Sequence, residues 1–241
     1  MADVSQIAIV TGASRGLGGV VARVLAGRGW DLVLGGRDED ALREAEAALV
    51  PAGGRVRAVA GDITEASTRR RLVAEADALG GLRLLVNNAS ELGGITPLAQ
   101  LDLARLDRVL RANVVAPLGL IQLALPRLAR SGGLVVNVTS DAASGAYPGW
   151  GGYGASKAAL DLITRTLAGE LGERVAVVSV DPGDMRTRMH QEAFAGQDIS
   201  DRPPPEVTAP FWQWLVDQDW RTMNGRRFAA QQESATWLQP A

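Results

Sequence analysis

Short apolar runs rich in β-branched residues alternate with helical patterns along most of this chain, and this alternation limits its fold more than any other feature. Six runs are predicted to be buried strands, at 7–10, 31–34, 55–60, 82–86, 134–138 and 175–180. Helical patterns between them cover 16–29, 39–50, 65–79, 102–129 and 153–171. Parallel strands need long crossovers, and the crossover helices bury both faces of the sheet. The order therefore predicts an α/β fold, with a doubly wound, mostly parallel six- or seven-stranded sheet and helices on both faces.

The alternation stops after the sixth predicted strand. Residues 186–205 are polar, contain three consecutive prolines at 203–205 and show weak periodicity, which is typical of a loop. A short helix is predicted at 206–216, and 225–228 is a candidate seventh strand. We therefore expect one domain over 1–241, with a substrate loop or lid at about 186–217.

Composition removes several classes of function. The chain has no cysteine and one histidine, which excludes disulfides and thiolate catalysis and leaves too few ligands for most zinc sites, so no metal is expected. The formal net charge is −2, which argues against a nucleic-acid partner. We find neither an unbroken apolar run of ~18 residues nor a signal-peptide pattern, so we expect no membrane partner and a cytoplasmic location.

A glycine-rich turn follows the first predicted strand and opens the first helix. Glycines let the backbone turn tightly and approach a ligand closely, and the helix amino terminus attracts a phosphate. The turn is therefore either a dinucleotide-binding site or a tight structural connection, and its position after the first strand favours the former. Its candidate ligand residues are Gly12, Ser14, Arg15, Gly16, Leu17 and Gly18.

The spacing Thr-Gly-x-x-x-Gly-x-Gly resembles that of the short-chain dehydrogenase/reductase family. Further motifs follow over residues 6 to 190 in the family's order: Asp62, Asn87-Asn88-Ala89, Asn113, Ser140, Tyr153-x-x-x-Lys157 and Pro182-Gly183. The resemblance implies a Rossmann-type NAD(P)-binding domain and an oxidoreductase. Ser90 departs from the pattern, because the family usually has glycine there.

The second predicted strand bears on which dinucleotide binds. It ends Gly35-Gly36-Arg37, with no carboxylate at the position that would select NAD through the ribose 2′-hydroxyl. Small glycines would leave room, and the Arg37 guanidinium suits a 2′-phosphate, with Arg15 approaching from the glycine turn. In the family, basic residues at these two positions imply NADP(H). Both arginines could instead be solvated surface charges.

Other residues are assigned to the cofactor by the resemblance. Asp62 would meet the adenine, although it could instead cap the helix that follows. Thr187 would bind the nicotinamide carboxamide. The remaining expected cofactor contacts are Ile63, Asn88, Ala89, Tyr153, Lys157, Pro182 and Gly183.

Tyr153 and Lys157 lie four residues apart on a predicted helix and so share a face. At ~4 Å and an effective dielectric of ~20, an ammonium stabilises a phenolate by about 4 kcal/mol, which should lower the phenol pKa towards working pH. Lys157 is the one lysine among 25 basic residues, and the other 24 are arginines. The planar guanidinium of an arginine would not fit the role of this ammonium. The alternative is an ordinary pair on a helix surface.

The family resemblance completes the expected catalytic set. It gives Tyr153 the role of acid/base for a small carbonyl or alcohol substrate, and Lys157 that of lowering the tyrosine pKa and binding the nicotinamide ribose. Ser140, thirteen residues before the tyrosine, would position the substrate oxygen. Asn113 would kink its helix and hold a water that relays protons to Lys157. Without the resemblance, the alternative for Asn113 is a satisfied core amide.

The sequence leaves two rival functions to compare with an oxidoreductase. A non-catalytic dinucleotide-binding sensor or scaffold would not need Ser140, Tyr153 and Lys157 together. A serine hydrolase would use Ser14 within a Gly-x-Ser-x-Gly pattern, followed by Asp181 and His190, but a nucleophile on the first strand has no upstream loop for an oxyanion hole.

The substrate region and the assembly are less constrained. Candidate pocket residues besides 186–205 are Glu91, Leu92, Gly93, Ala142, Tyr147, Trp150 and Met185. Trp212 and Trp214 are expected to pack a helix, and His190 to lie in a loop. A homodimer or homotetramer is expected from the resemblance and from surplus apolar residues on two helices, including Leu118, Leu120 and Leu123.

Overall fold

The computed structural model describes residues 6–233, 236 and 237. Within them, seven parallel strands form one sheet in the order β3-β2-β1-β4-β5-β6-β7. The strands are β1 (Ile7–Thr11), β2 (Asp31–Gly36), β3 (Val56–Ala60), β4 (Leu84–Asn87), β5 (Leu134–Val138), β6 (Ala176–Asp181) and β7 (Arg227–Ala229). The predicted parallel α/β sheet is therefore confirmed, with seven strands.

Helices cover both faces, as the apolar strands require. They are α1 (Gly16–Gly27), α2 (Glu39–Leu49), α3 (Ala66–Leu79), α4 (Leu103–Leu110), α5 (Ala116–Ser131), α6 (Gly151–Leu171), α7 (Arg188–Ala193) and α8 (Ala209–Val216). Alternate strand residues point into two cores: Ala8 and Val10 pack with α1, α2 and α8. Ile7 and Ile9 pack with α3, α5 and α6 on the other face. This alternation is the period of a strand buried on both sides.

The strand order reverses between β1 and β4, and this reversal fixes where a ligand can bind. The chain after β1 crosses to β2, while the chain after β4 crosses to β5 on the other side. The connections therefore diverge at the carboxyl ends of β1 and β4 and leave a crevice between them.

The long predicted helix at 102–129 runs from Leu103 to Ser131 with an interruption. A π turn, Arg111–Val115, separates α4 from α5 and contains Asn113. Such a turn inserts an extra residue and bends the helix at the point where a side chain must reach the site. Leu103–Ser131 is also long and apolar enough to span a membrane by composition, but α5 packs on the sheet through Leu120, Ile121, Ala124 and Leu128, so we interpret it as a core helix.

The expected lid at 186–217 divides into two different parts. The first half contains a six-residue helix, α7, so His190 lies in a helix and not in a loop as predicted. The second half ends in α8, whose Phe211 and Trp212 are buried against the sheet and α1. Trp212 packs as expected, and its indole nitrogen donates to the Thr208 hydroxyl at 3.2 Å.

Near the carboxyl end, the candidate seventh strand is present and one feature escaped the sequence prediction. β7 begins at Arg227, two residues after the predicted start, and pairs in parallel with β6. Trp237 is buried and lies 5.2 Å from Phe211 and 5.0 Å from Trp214, measured between ring centroids. Trp237 thus completes an aromatic cluster over α8.

The helices whose apolar residues indicated an oligomer carry both buried and exposed apolar side chains in the structure. Leu120 is fully buried within the subunit, so it is not part of a surface for a partner. Val115 and Leu162 are exposed apolar residues on the same helical layer. Assembly into a dimer or tetramer stays a prediction.

Candidate active site

A cleft of about 910 Å³ opens along the carboxyl edge of the sheet. It runs from the glycine turn past the end of β2 to Tyr153, beneath α7. Most of the predicted site residues line it: Gly12, Ser14, Arg15, Gly16, Leu17, Arg37, Asp62, Ile63, Asn88, Ala89, Ser140, Tyr153, Lys157, Pro182, Gly183 and Thr187. Gly18 and Asn113 lie behind its wall.

The glycine turn is tied closely to the end of β4. The Asn88 amide donates to the carbonyls of Thr11 and Gly12 at 2.8 and 3.2 Å, and the Thr11 hydroxyl accepts from the backbone N–H of Asn88 and Ala89 at 3.0 Å. A Cβ on Gly18 would lie 2.2 Å from the Gly12 carbonyl oxygen. Gly18 and Asn88 therefore shape the turn itself. Gly12 and Gly16 have φ of +65° and +55°, which favours glycine at both.

The two predicted basic residues, Arg37 after β2 and Arg15 in the glycine turn, differ in their contacts. Arg15 makes an ion pair with Asp38 at 2.7 Å, and both side chains are about half exposed. Arg37 is exposed and lines the cleft. Gly35 and Gly36 admit Leu72 and Leu42, whose side-chain carbons would lie 3.1 and 3.4 Å from added Cβ atoms. The glycines thus serve close packing behind the cleft as well as space within it.

Asp62 and Thr187 each have a local structural role. The Asp62 carboxylate accepts from the backbone N–H and hydroxyl of Thr64, both at 2.8 Å. Glu65, and not Asp62, is the cap residue of α3, so the alternative of a helix cap was wrong. Thr187 caps α7, its hydroxyl accepting from the His190 N–H at 3.2 Å.

Lys157 is buried at the carboxyl end of β5. It is 2% exposed, its Nζ donates to the Val138 carbonyl at 2.8 Å, and Nζ lies 5.5 Å from the centroid of the Tyr153 ring. Burial lowers the pKa of Lys157 to about 8, while Asp161 and Asp181 act in the opposite direction. The predicted pairing of one ammonium with one phenol along α6 is therefore present.

The expectation that Lys157 brings the pKa of Tyr153 below its ordinary value is wrong. Burial raises the pKa of Tyr153, and the charges of Asp181 and Asp141 act in the same direction. The hydroxyls of Ser140 and Ser90 act in the opposite direction and lower the pKa of Tyr153, without cancelling that shift. Removal of the phenol from water thus outweighs the nearby polar groups, and the hydroxyl is held in its protonated form.

Ser140 is held on two sides. Its hydroxyl donates to the Asp141 carboxylate at 3.0 Å and accepts from the Ala142 N–H at 3.2 Å. The second oxygen of Asp141 accepts from the Tyr147 hydroxyl at 2.8 Å. Ser144, the neighbouring serine, bonds the Asp141 carbonyl instead, which agrees with the selection of Ser140.

A charge cluster behind Lys157, with two buried acids and an exposed arginine, was missed in the sequence. Arg227 on β7 approaches Asp161 at 3.4 Å and Asp181 at 3.0 Å, and it donates to the Ser140 carbonyl at 3.0 Å. Both carboxylates are nearly buried. Arg227 therefore neutralises the two acids beside Lys157 and fixes the backbone of Ser140. The spacing of Asp161, four residues after Lys157, was the signal available.

Aromatic residues form the wall of the cleft beyond Tyr153. Trp150 lies 6.0 Å from Tyr153 and 6.1 Å from Phe194, and the His190 ring stacks on Phe194 at 4.8 Å, measured between centroids. Of the predicted pocket residues, Glu91, Ala142, Tyr147, Trp150 and Met185 line the cleft. Leu92 and Gly93 line a neighbouring cavity of about 430 Å³.

The residues of the hydrolase alternative are not assembled into a triad. Asp181 bonds Arg227 and the Gly183 N–H, while the His190 Nδ1 lies 3.9 Å from Asp184. Ser14 belongs to the glycine turn. Among the described residues, no group of three or more acidic or histidine side chains could hold a metal ion.

We predict that Gly18→Ala lowers the free energy of unfolding by about 2–3 kcal/mol, because its methyl group would collide with the Gly12 carbonyl. Gly19→Ala is the matched control, since its Cβ would meet nothing nearer than 3.6 Å. Urea denaturation of both variants measures the difference. Equal stabilities would contradict the packing described for the turn.

We predict that the stability difference between the wild-type protein and Lys157→Met depends on pH. The pKa of Lys157 is about 8 when folded, against an ordinary lysine value of 10.5, so the unfolded chain binds more protons between these values. Wild-type stability relative to the variant should therefore rise with pH, by about 2 kcal/mol at pH 9.5 compared with pH 7. Denaturant unfolding at both pH values measures this, and a pH-independent difference would show that the lysine is not desolvated.

The chain matches the family model for short chain dehydrogenases over residues 6–198. It is 37% identical to the L-xylo-3-hexulose reductase of Hypocrea jecorina, over 89% of this chain and 77% of the relative. It is 32% identical to the oxidoreductase YciK of Escherichia coli K12, over 94% of this chain and 92% of the relative.

Solved structures give the same result. A short chain dehydrogenase from Shigella flexneri, solved with NADP, aligns with a TM-score of 0.88 and 29% identity, covering 96% of this chain and 100% of that one. A second, from Escherichia coli CFT073 with NADPH, aligns with a TM-score of 0.87 and 31% identity, covering 95% and 99%. With the sheet order and the cleft described above, these similarities lead to one conclusion: the chain belongs to the short-chain dehydrogenase family of oxidoreductases.

Proposed function

We propose that this protein is an NADP(H)-dependent oxidoreductase that interconverts a small ketone or aldehyde and its alcohol, with Tyr153 as the acid/base. The observation that carries the proposal is the arrangement of Ser140, Tyr153 and Lys157 at one end of a cleft whose other end is the glycine turn. A non-catalytic sensor would not require a buried ammonium beside a phenol.

The donor set along the cleft fits a nicotinamide dinucleotide. Gly12 lets the turn pack directly against the end of β4, because a Cβ there would lie 2.9 Å from the Asn88 amide. The amino terminus of α1 faces this turn and favours a phosphate. Arg37 and Arg15 would hold a 2′-phosphate, Asp62 and Ile63 the adenine, and Thr187 and Lys157 the nicotinamide half. Two structural neighbours were solved with NADP or NADPH, which supports this choice.

In reduction, a bound dinucleotide supplies a hydride to the carbonyl carbon. Tyr153 gives its proton to the carbonyl oxygen, so the phenol O–H bond breaks as the alcohol O–H bond forms. Ser140 positions that oxygen, because its hydroxyl lies beside the phenol at the cleft wall. Lys157 provides positive charge near the phenolate that remains, since Nζ lies 5.5 Å from the ring centroid.

The charge distribution favours the reductive direction. Burial, together with Asp141 and Asp181, raises the pKa of Tyr153 and keeps its proton in place. A protonated phenol is the form that reduction requires, whereas oxidation begins from the phenolate. The surrounding carboxylates and aromatic rings suit a small substrate with hydroxyl groups. The relative from Hypocrea jecorina is named as the reductase of a keto sugar, which supports the same substrate class.

We predict that Tyr153→Phe lowers kcat by about 100- to 10,000-fold, the usual contribution of a positioned proton donor. The assay is NADPH oxidation with a panel of ketones, aldehydes, keto sugars and 3-oxoacyl thioesters. NADPH affinity, measured by fluorescence, should stay within a few-fold of the wild type. Binding without turnover in the wild-type protein across the panel would favour the sensor; full turnover in the variant would overturn the acid/base role.

We predict that Arg37→Asp lowers the ratio of kcat/KM for NADPH over that for NADH by about tenfold or more. The variant replaces a guanidinium that attracts the 2′-phosphate by a carboxylate that repels it. Arg165→Asp, on the exposed surface of α6, is the matched control for the change in net charge. An unchanged ratio in Arg37→Asp would remove this arginine from the cofactor assignment.

A further inference from the structure

Ser90 follows the carboxyl end of β4 by three residues and faces the same cleft as the catalytic phenol. It is half-buried and lines the cleft with Ser140 and Tyr153. No described residue other than glycine has a positive φ, so Ser90 sits in an ordinary backbone conformation. The side chain is therefore accommodated without strain, and its position allows a direct role in the chemistry of Tyr153.

One side of Ser90 is fixed by Asn113. The Ser90 hydroxyl donates to the Asn113 carbonyl oxygen at 3.1 Å, and the same oxygen accepts from the Glu91 N–H at 2.8 Å. The Asn113 amide donates to the Glu91 carbonyl and the Ser156 hydroxyl, both at 2.9 Å. All hydrogen-bonding positions of this buried side chain are thus occupied by protein groups.

The same network returns to the helix that carries Tyr153. The Ser156 hydroxyl donates to the Tyr153 backbone carbonyl at 2.6 Å. Asn113 is therefore connected through Ser156 to the Tyr153 backbone, and it also fixes Ser90, which lines the same cleft as the Tyr153 phenol. Because its amide is saturated, the water relay implied by the resemblance would have to use other atoms.

A serine hydroxyl has one proton and two lone pairs, so Ser90 can serve both forms of the phenol. While Tyr153 is protonated, its O–H can donate to the Ser90 oxygen, whose own proton points to Asn113. Once Tyr153 has given its proton to the substrate, the Ser90 O–H can rotate and donate to the phenolate. Asn113 then keeps its bond from the Glu91 N–H.

We propose that Ser90 is a second hydroxyl partner of Tyr153, which orients the protonated phenol and stabilises the phenolate by turning its O–H bond away from Asn113. The inference rests on the proposed oxidoreductase function. Its atoms balance without a further reactant: the Tyr153 O–H bond breaks, the substrate O–H bond forms, and the Ser90 proton changes its acceptor but remains on Ser90.

The kinetic test uses Ser90→Ala and Ser90→Gly, with Ser90→Thr as the variant that retains the hydroxyl. We expect the kcat of alcohol oxidation at pH 7 to fall about tenfold in Ala and Gly, the loss of one hydrogen bond to a charged group. The alkaline limb of the kcat profile should move to higher pH, and Thr should restore both. A rise in KM with an unchanged pH profile would overturn the proposal, because Ser90 would then contact the substrate and not the phenol.

A second measurement does not depend on turnover. The chain has only two tyrosines, so tyrosine labelled with ¹³C at Cζ gives two resonances, which Tyr147→Phe assigns. We expect Ser90→Ala to move the Tyr153 resonance. Ser144→Ala, an exposed serine that bonds the Asp141 carbonyl, is the matched control and should leave it in place. An unmoved Tyr153 resonance in Ser90→Ala overturns the inference.

The two proposals fail in distinguishable ways. If the wild-type protein turns over no substrate but the Tyr153 resonance responds to Ser90→Ala, the contact stands and the oxidoreductase function fails. If the wild-type protein is active and Ser90→Ala matches it in pH profile and spectrum, the role of Ser90 alone is refuted.

Discussion

The burial of the Lys157 ammonium at the end of β5 places demands on every element around it. A charge removed from water needs compensating partners, or the group loses its proton. The Val138 carbonyl, Asp161 and Asp181 supply them, and Arg227 balances the two acids in turn. Because these residues come from β5, α6, β6 and β7, the lysine and the carboxyl edge of the sheet are organised together.

Tyr153 experiences the opposite combination of effects. Its burial and two nearby carboxylates favour the neutral phenol, while the hydroxyls of Ser140 and Ser90 favour the phenolate. A proton donor is useful when it holds its proton until a substrate oxygen arrives and can then release it. The site meets the first condition through desolvation and the second through rotatable hydroxyls, which can donate to charge as it develops.

The parts of the site that could be predicted are those encoded by local spacing. Gly12 and Ser140 each follow a strand, and Tyr153 and Lys157 lie one helical turn apart. Their positions within these elements depend on local spacing and not on distant parts of the chain. Arg227 could not be predicted in the same way, because its partners lie 46, 66 and 87 residues earlier. The sign of the Tyr153 shift was also missed, since desolvation depends on how many atoms the whole fold places around the phenol.

The sequence by itself determined the parallel sheet, the glycine turn and the one tyrosine–lysine pair, because apolar period and short-range spacing act through local backbone geometry. Only the tertiary structure decided that α7 covers the cleft, that Trp237 packs on α8, that Asn113 is saturated, and that Ser90 is bonded to Asn113 in the cleft that holds the phenol. These features depend on contacts between segments that are distant in the chain, and such contacts form only when the helices have packed on both faces of the sheet.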